Sequence, residues 1–419
     1  MRIAVLVSGL SAVAIAFGST AVAQTLQSPP APFKSLFSDI APAANVRREI
    51  PLPKAAPPPE VRQKKTADAN DQQVLRRQIG QMIMLGFPGV DPSEEWPQRI
   101  KAMLQDGSIG GVVLFSQNVI DPPQVRRLVS SLQPKDGQPP AYVCVDQEGG
   151  AIQRLTQAKG FTGLPSAAKI ATTNPAVASR LYRGAATEMA RLGVNCNFGP
   201  VVDLNVEANN PAIGRLGRSY GADPGTVVDN ARMFIEAHKQ AGVLTAAKHF
   251  PGHGSARIDP HDAVVDITRT WRTSELEPFQ TIIDDDQVSM IMVGHLILRD
   301  PRFKDGDKPT SLSPQAIHQV LRTQLGFRGL VVSDDLDMGA IRNRYGVDEA
   351  AVMAIEAGTD IVIIANTKAP DPDLANRIIA KVMRAVEQGR IKREFIEQSY
   401  NRALNAKKQL TDRRAYVMH

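Results

Sequence analysis

Three of the chain's seven histidines fall within thirteen residues, in the run Lys248-His249-Phe250-Pro251-Gly252-His253-Gly254 and the Asp259-Pro260-His261 that follows it. The apolar stretch Val243 to Ala247 reads as a buried strand that delivers Lys248 and His249 at its end. Two prolines and two glycines then forbid further regular structure. A strand that ends in a polar, turn-rich segment is how α/β enzymes present reactive side chains, so this segment is expected to be an active-site loop. By type alone, His249, His253, Asp259 and His261 suit a metal-dependent hydrolase. The proline and glycine between the first two histidines preclude the helical spacing that aligns such ligands, and Lys248 beside them repels a cation. No metal and no cofactor is therefore expected.

The elements that would position these residues are legible as apolar runs at Met82 to Phe87, Gly111 to Phe115, Ala141 to Asp146, Val194 to Asp203, Leu244 to Phe250, Val288 to His295, Gly329 to Asp334 and Asp360 to Asn366, eight in all. Amphipathic helical stretches such as Val177 to Leu192 and Thr226 to Gln240 separate them, so a parallel sheet covered by helices is predicted. Eight strand-helix units in some 350 residues predict an α/β fold of (β/α)8 barrel type, a single catalytic domain over 71–410 with a tail at 411–419. Asp146, the pair Lys248/His249, His295 and Asp334 all terminate apolar runs at the carboxyl end, the rim where this fold keeps its active sites. Taken singly, such an Asp could cap a helix and such a His could be a hydrogen-bonded core residue; four at one rim point to function.

Ahead of this domain, Arg2, the apolar run Ile3 to Phe17 and the small-x-small site Ala21-Val22-Ala23 read as a secretory signal peptide over 1–23, so a periplasmic or secreted location is expected. No other segment is apolar enough to span a membrane. Residues 24–70 read as a Pro-rich disordered linker, with nine prolines between Gln24 and Thr66. Seven Lys+Arg against three Asp+Glu in that stretch account for most of the whole-chain charge of +6, leaving about +1 for 67–419. This argues against a nucleic-acid-binding face on the folded domain. Cys144 and Cys196 sit in apolar runs and read as buried free thiols, although an oxidising compartment leaves a disulfide open.

Five ordered motifs then stand out: Asp146-Gln147-Glu148-Gly149-Gly150 with Gln153-Arg154; Phe198-Gly199-Pro200-Val201-Val202-Asp203; Arg218-Ser219-Tyr220-Gly221; Lys248 to Gly254 with Asp259-Pro260-His261; and Val332-Ser333-Asp334-Asp335-Leu336. Together they resemble the glycoside hydrolase family 3 β-N-acetylglucosaminidases of the NagZ type, over about Leu75 to Asn366. The resemblance implies a (β/α)8 barrel that hydrolyses terminal nonreducing N-acetylglucosamine from peptidoglycan fragments or chitooligosaccharides with retention. By motif match Asp334 is the nucleophile, and an Asp259/His261 dyad replaces the usual second carboxylate as acid/base. A neutral imidazole beside an acceptor can take and return a proton near neutral pH, so the substitution is chemically sound. Asp335 would face the other side of an extended strand and be structural. The dyad's Gly/Pro-rich loop is expected to be mobile.

The resemblance also implies that Asp146 accepts from sugar hydroxyls, while Arg154, Arg218, Lys248 and His249 donate to hydroxyl and acetamido oxygens. His253 is expected only to pack the turn. The spacing before Arg218 is two residues longer than usual, which leaves Arg215 a competitor for its role, and Pro260 replaces a residue that is often serine. The expected partner is thus a small-molecule carbohydrate substrate, with no nucleic acid and no stable membrane span, and the protein is expected to be a monomer. A related sugar phosphorylase or β-glucosidase stays open as an alternative, as do a metal-dependent hydrolase and a noncatalytic wall-binding protein.

Overall fold

Eight short strands form the centre of the computed structural model, which describes residues 59–134, 138–259 and 264–417. They are β1 Ile83–Leu85, β2 Gly111–Leu114, β3 Tyr142–Val145, β4 Cys196–Asn197, β5 Leu244–Phe250, β6 Met290–Val293, β7 Leu330–Asp335 and β8 Ile361–Ile364. Each lies within one of the eight predicted runs or overlaps it. All pair in parallel with their sequence neighbours, and β8 pairs back onto β1, with Ile83 opposite Val362, to close the barrel. Helices cover the outside, so the strands are buried on both faces. This is why they read as near-continuous apolar runs rather than alternating ones.

Alternate residues of each strand point into the barrel. The interior cluster holds Met84 from β1, Val113 from β2, Tyr142 and Cys144 from β3, Leu244 and Ala246 from β5, Met290 and Met292 from β6, Leu330 and Val332 from β7, and Ile361 and Ile363 from β8. Continuing the same period-two step upward from Cys144, Ala246 and Val332 gives Asp146, Lys248 and Asp334. The alternation that packs the barrel therefore also carries these three polar residues to its carboxyl mouth.

The helices start where sequence chemistry tells them to. Asp121, Asn174 and Asp223 each accept a backbone N–H from the first turn of helices Pro122–Leu132, Pro175–Leu192 and Pro224–Gln240, and each is followed by a proline at the first helical position. The amino end of the barrel is closed by the last helix, Arg393–Val417, whose Ala403 and Leu410 join the interior cluster. Tyr142 Oη donates to Ala403 O at 2.6 Å and Lys407 Nζ to Gly110 O at 2.9 Å. Cys144 and Cys196 stand opposite each other on β3 and β4 as buried free thiols.

Two boundaries differ from expectation. Helix Pro59–Gly80 begins inside the stretch read as linker, and the 411–419 tail continues the final helix as far as Val417. Inside those bounds the first helix is docked on its neighbours: Arg76 Nη2 reaches Asn376 Oδ1 at 2.6 Å, and Arg393 grips Asp71 at 2.6 Å. The predicted signal peptide, and the linker before Pro59, lie outside the described residues. No described helix is long and apolar enough to cross a membrane.

Candidate active site

The carboxyl mouth of the barrel gathers ionic side chains from β3, β5 and β7 and the loops that follow them. Just past β3, Gln147–Gly149 pairs with Ile152–Gln153 in a hairpin whose turn glycines, Gly149 and Gly150, have φ of 109° and 57°. Gln147 braces the hairpin by accepting Arg154 N and Leu155 N, each at 3.0 Å, on its Oε1. This aims Arg154 back at the strand end, where its Nη2 donates to Asp146 Oδ2 at 2.9 Å. Arg154 also lies over the Phe115 ring at 5.9 Å.

Lys248, 2 % exposed, is the hub. Its Nζ bridges Asp146 Oδ1 at 2.8 Å and Glu148 Oε1 at 2.7 Å. Glu148 in turn holds Arg218 through two parallel bonds, Nε and Nη2 at 2.8 Å each, while Arg218 Nη1 donates to Ala212 O. Three cations thus surround two carboxylates. Burial pushes the Asp146 and Glu148 carboxyls up, but Lys248 and the arginines outweigh it and hold both below their ordinary range. Arg215 sits exposed in the Gly214–Leu216 turn. Arg218, not Arg215, enters the network.

His249 is oriented by Asp203, the last residue of the Phe198 to Asp203 motif. Asp203 Oδ2 lies 2.7 Å from His249 Nδ1, and Oδ1 accepts His249 N at 3.0 Å and His253 N at 2.8 Å. That leaves His249 Nε2 on the side of Arg218, 3.4 Å from its Nη2. His253 packs edge-on against the His249 ring, centroids 5.6 Å apart. Burial and the neighbouring His249 push its imidazole down to about 4, so it is neutral.

At the end of β7, Asp334 Oδ1 accepts Asp335 N at 2.8 Å. Burial raises the Asp334 carboxyl, yet His295, His249 and Lys248 together outweigh it and keep it below the usual value. Asp335 behaves oppositely. Burial, reinforced by the adjacent Asp334 charge, pushes it up to about 7 against the bonds it accepts from Asp337 N and Ala365 N. His295, at the end of β6, ties the two strands together with Nε2 2.9 Å from Asp335 O and Nδ1 2.7 Å from Ser311 Oγ. Adjacent carboxyls whose surroundings drive their pKa values apart are suited to different jobs.

Asp146, Arg154, Arg218, Lys248, His249 and Asp334 all come from this one mouth. Asp259 is half-buried on the loop after β5, and His261 lies in 260–263, outside the described residues. Glu148, Asp203 and Ser311 were not singled out from sequence as site residues. Glu148 and Asp203 were nevertheless readable as the acids nearest in sequence to Asp146 and at the end of the fourth apolar run. Among the described residues no group of three or more His, Cys, Asp or Glu is placed to hold a metal ion.

An eight-stranded parallel barrel that gathers carboxylates and charged hydrogen-bond donors at its carboxyl mouth has the layout of an α/β-barrel enzyme. Residues 74–406 match the glycosyl hydrolase family 3 N-terminal domain, and the chain belongs to that family. It is 31% identical over 367 residues to beta-hexosaminidase A of Pseudoalteromonas piscicida, covering 79% of this chain and 60% of that protein. It is 34% identical over 302 residues to beta-hexosaminidase LpqI of Mycobacterium tuberculosis, covering 70% and 74%. The fold also matches a glycoside hydrolase family 3 beta-N-acetylglucosaminidase from a Paenibacillus species, with a TM-score of 0.72 and 32% identity over 80% of this chain and 62% of the other. The chain thus spans about three-fifths of the length of the Pseudoalteromonas and Paenibacillus proteins.

Proposed function

We propose that the protein is a retaining exo-β-N-acetylglucosaminidase that removes terminal nonreducing N-acetylglucosamine from peptidoglycan fragments or chitooligosaccharides, acting as a monomer in the periplasm or outside the cell. The observation that carries this reading is the ionised Asp334 at the same mouth as the Arg154, Lys248, Arg218 and His249 donors, in a family 3 chain whose relatives are beta-hexosaminidases. Asp334 attacks the anomeric carbon to form a covalent glycosyl-enzyme. His261, oriented by Asp259, protonates the departing oxygen and then deprotonates the water that releases the sugar. Asp146 accepts from sugar hydroxyls, and the four cationic or imidazole groups donate to hydroxyl and acetamido oxygens. Their mutual ion pairs hold these groups in place before substrate arrives, so little ordering is left for binding to offset. No cofactor is required. Export is supported by the signal-type segment at the amino terminus.

Turnover of an aryl β-N-acetylglucosaminide beside the corresponding β-glucoside, with and without phosphate and a chelator, tests the reading. Hydrolysis confined to the N-acetylglucosaminide and indifferent to both additions is expected. A sugar phosphate product, a preference for the glucoside or loss of activity with chelator would each overturn it.

A further inference from the structure

We propose that the groove between helices Pro122–Leu132 and Pro175–Leu192, on the outer wall of the barrel, binds an acidic polysaccharide, a chain carrying a carboxylate on successive sugars. The groove has a volume of about 1060 Å³ and is lined by Arg126 and Arg127 from one helix and Arg183 and Arg191 from the other. Arg183, Thr187 and Arg191 follow one another at four-residue steps and so form a stripe along one helix face. All four arginines are exposed, and none is in an ion pair with a described residue.

Other exposed arginines are scattered, some paired with acids as Arg99 is with Glu95 and Arg390 with Glu356, whereas here four line one cleft. The two groove helices together hold five arginines and a single acid, Glu188. One oxygen of that acid is engaged by Thr162 N at 2.8 Å. Positive charge is therefore concentrated here on a domain that is otherwise close to neutral, and guanidinium forks match the planar geometry of carboxylates.

Gly184 lies on the same wall of the groove. It lies in the middle of the helix, where glycine is less stable than alanine, and a Cβ there would meet nothing within 4 Å. Internal packing therefore does not explain it. It lines the groove between Arg183 and Thr187. No aromatic side chain lines the groove, so it lacks the stacking platforms that single-stranded nucleic acids use. A concave channel also fits an extended chain better than a flat bilayer.

The test is affinity electrophoresis of the full chain through polygalacturonate, with neutral dextran and single-stranded DNA as comparison matrices. Retardation by polygalacturonate alone is expected, falling at least tenfold in affinity when Arg126, Arg127, Arg183 and Arg191 are all changed to Ala. Gly184→Gln, which fills the groove without touching a charge, should weaken retardation as well. Both variants should keep the parent's turnover of a soluble aryl glycoside and its melting temperature, which separates this inference from the proposed reaction. Absence of retardation by polygalacturonate overturns the proposal. So does undiminished retardation of the arginine variant, which would place binding on the basic amino-terminal stretch, or equal retardation by DNA with the same arginine dependence.

Discussion

Asp334 and Asp335 are adjacent carboxyls whose surroundings give them opposite tendencies. Asp334 is kept anionic by His295, His249 and Lys248, so Asp334→Ala should lose on the order of a thousandfold or more in turnover. A slow fluorinated glycoside should leave its sugar on the peptide containing Val332 to Leu336; label on Asp146 or Asp335 would refute the assignment. Asp335 is pushed up to about 7 from 3.8, so between those values the folded protein holds a proton that the unfolded chain has released. Its contribution is therefore present at low pH and lost as pH rises toward 7. Asp335→Asn keeps an oxygen for the Asp337 and Ala365 amides but cannot ionise. Its stability relative to the parent should rise by about 3 kcal/mol between pH 4.5 and pH 8, measured by urea denaturation. A flat difference would show that Asp335 is ionised throughout. That these two neighbours meet different surroundings was legible, because strand alternation puts them on opposite faces. Glu148 could be noticed beside Asp146, but its bridging of Lys248 and Arg218, which are distant from it in sequence, could not be read there.

The loop after β5 shows where reading by element succeeded and where it stopped. All seven residues of β5 match the run read from sequence, because a strand buried on both faces leaves an unbroken apolar signature up to Lys248. The base of the following loop is held by contacts that no local pattern displays. Asp203 takes the His249 and His253 amides, Glu275 takes Gly254 N at 3.1 Å, and Asn210 Nδ2 donates to His253 O at 2.8 Å. Gly254 is required there, since a Cβ would come within 1.6 Å of Leu204 O. The Asp259 and His261 that follow are proposed to handle the leaving-group proton. His261→Ala should accordingly lose much less activity on an aryl glycoside with a good leaving group than on a disaccharide. Asp259→Asn should show the same selectivity more weakly, because an amide orients the ring without stabilising its charge. Equal losses on both substrates would assign the loop to binding instead.

Across the whole molecule, function sits at one end of the barrel and closure at the other. Eight apolar runs announced the barrel itself, but nothing in the local sequence announced that the final helix seals its amino end. That seal depends on tertiary contacts between residues 300 positions apart. Lys407 is central to it, fully enclosed, with its Nζ on Gln81 Oε1 at 2.7 Å and Gly110 O at 2.9 Å and 4.8 Å from the Tyr142 ring centroid. These electron-rich neighbours suit an ammonium, yet burial dominates and pushes the amine down to about 7 from 10.5. Between those values the unfolded chain binds a proton that the folded one has shed, so on this residue's account stability rises as pH climbs from 7 toward 10. Lys407→Met fills much of the same volume without a titrating group; it removes the donor to Gln81 Oε1 and leaves Gly110 O with the Tyr142 amide alone. The variant should be less stable than the parent at every pH by about 1–3 kcal/mol, and the gap should widen from pH 7 to pH 9.5 as the parent gains and the variant does not. Turnover should be unaffected at the distant mouth. A gap that narrows with pH would mean that the ammonium form, held by its three neighbours, is the one that seals the barrel.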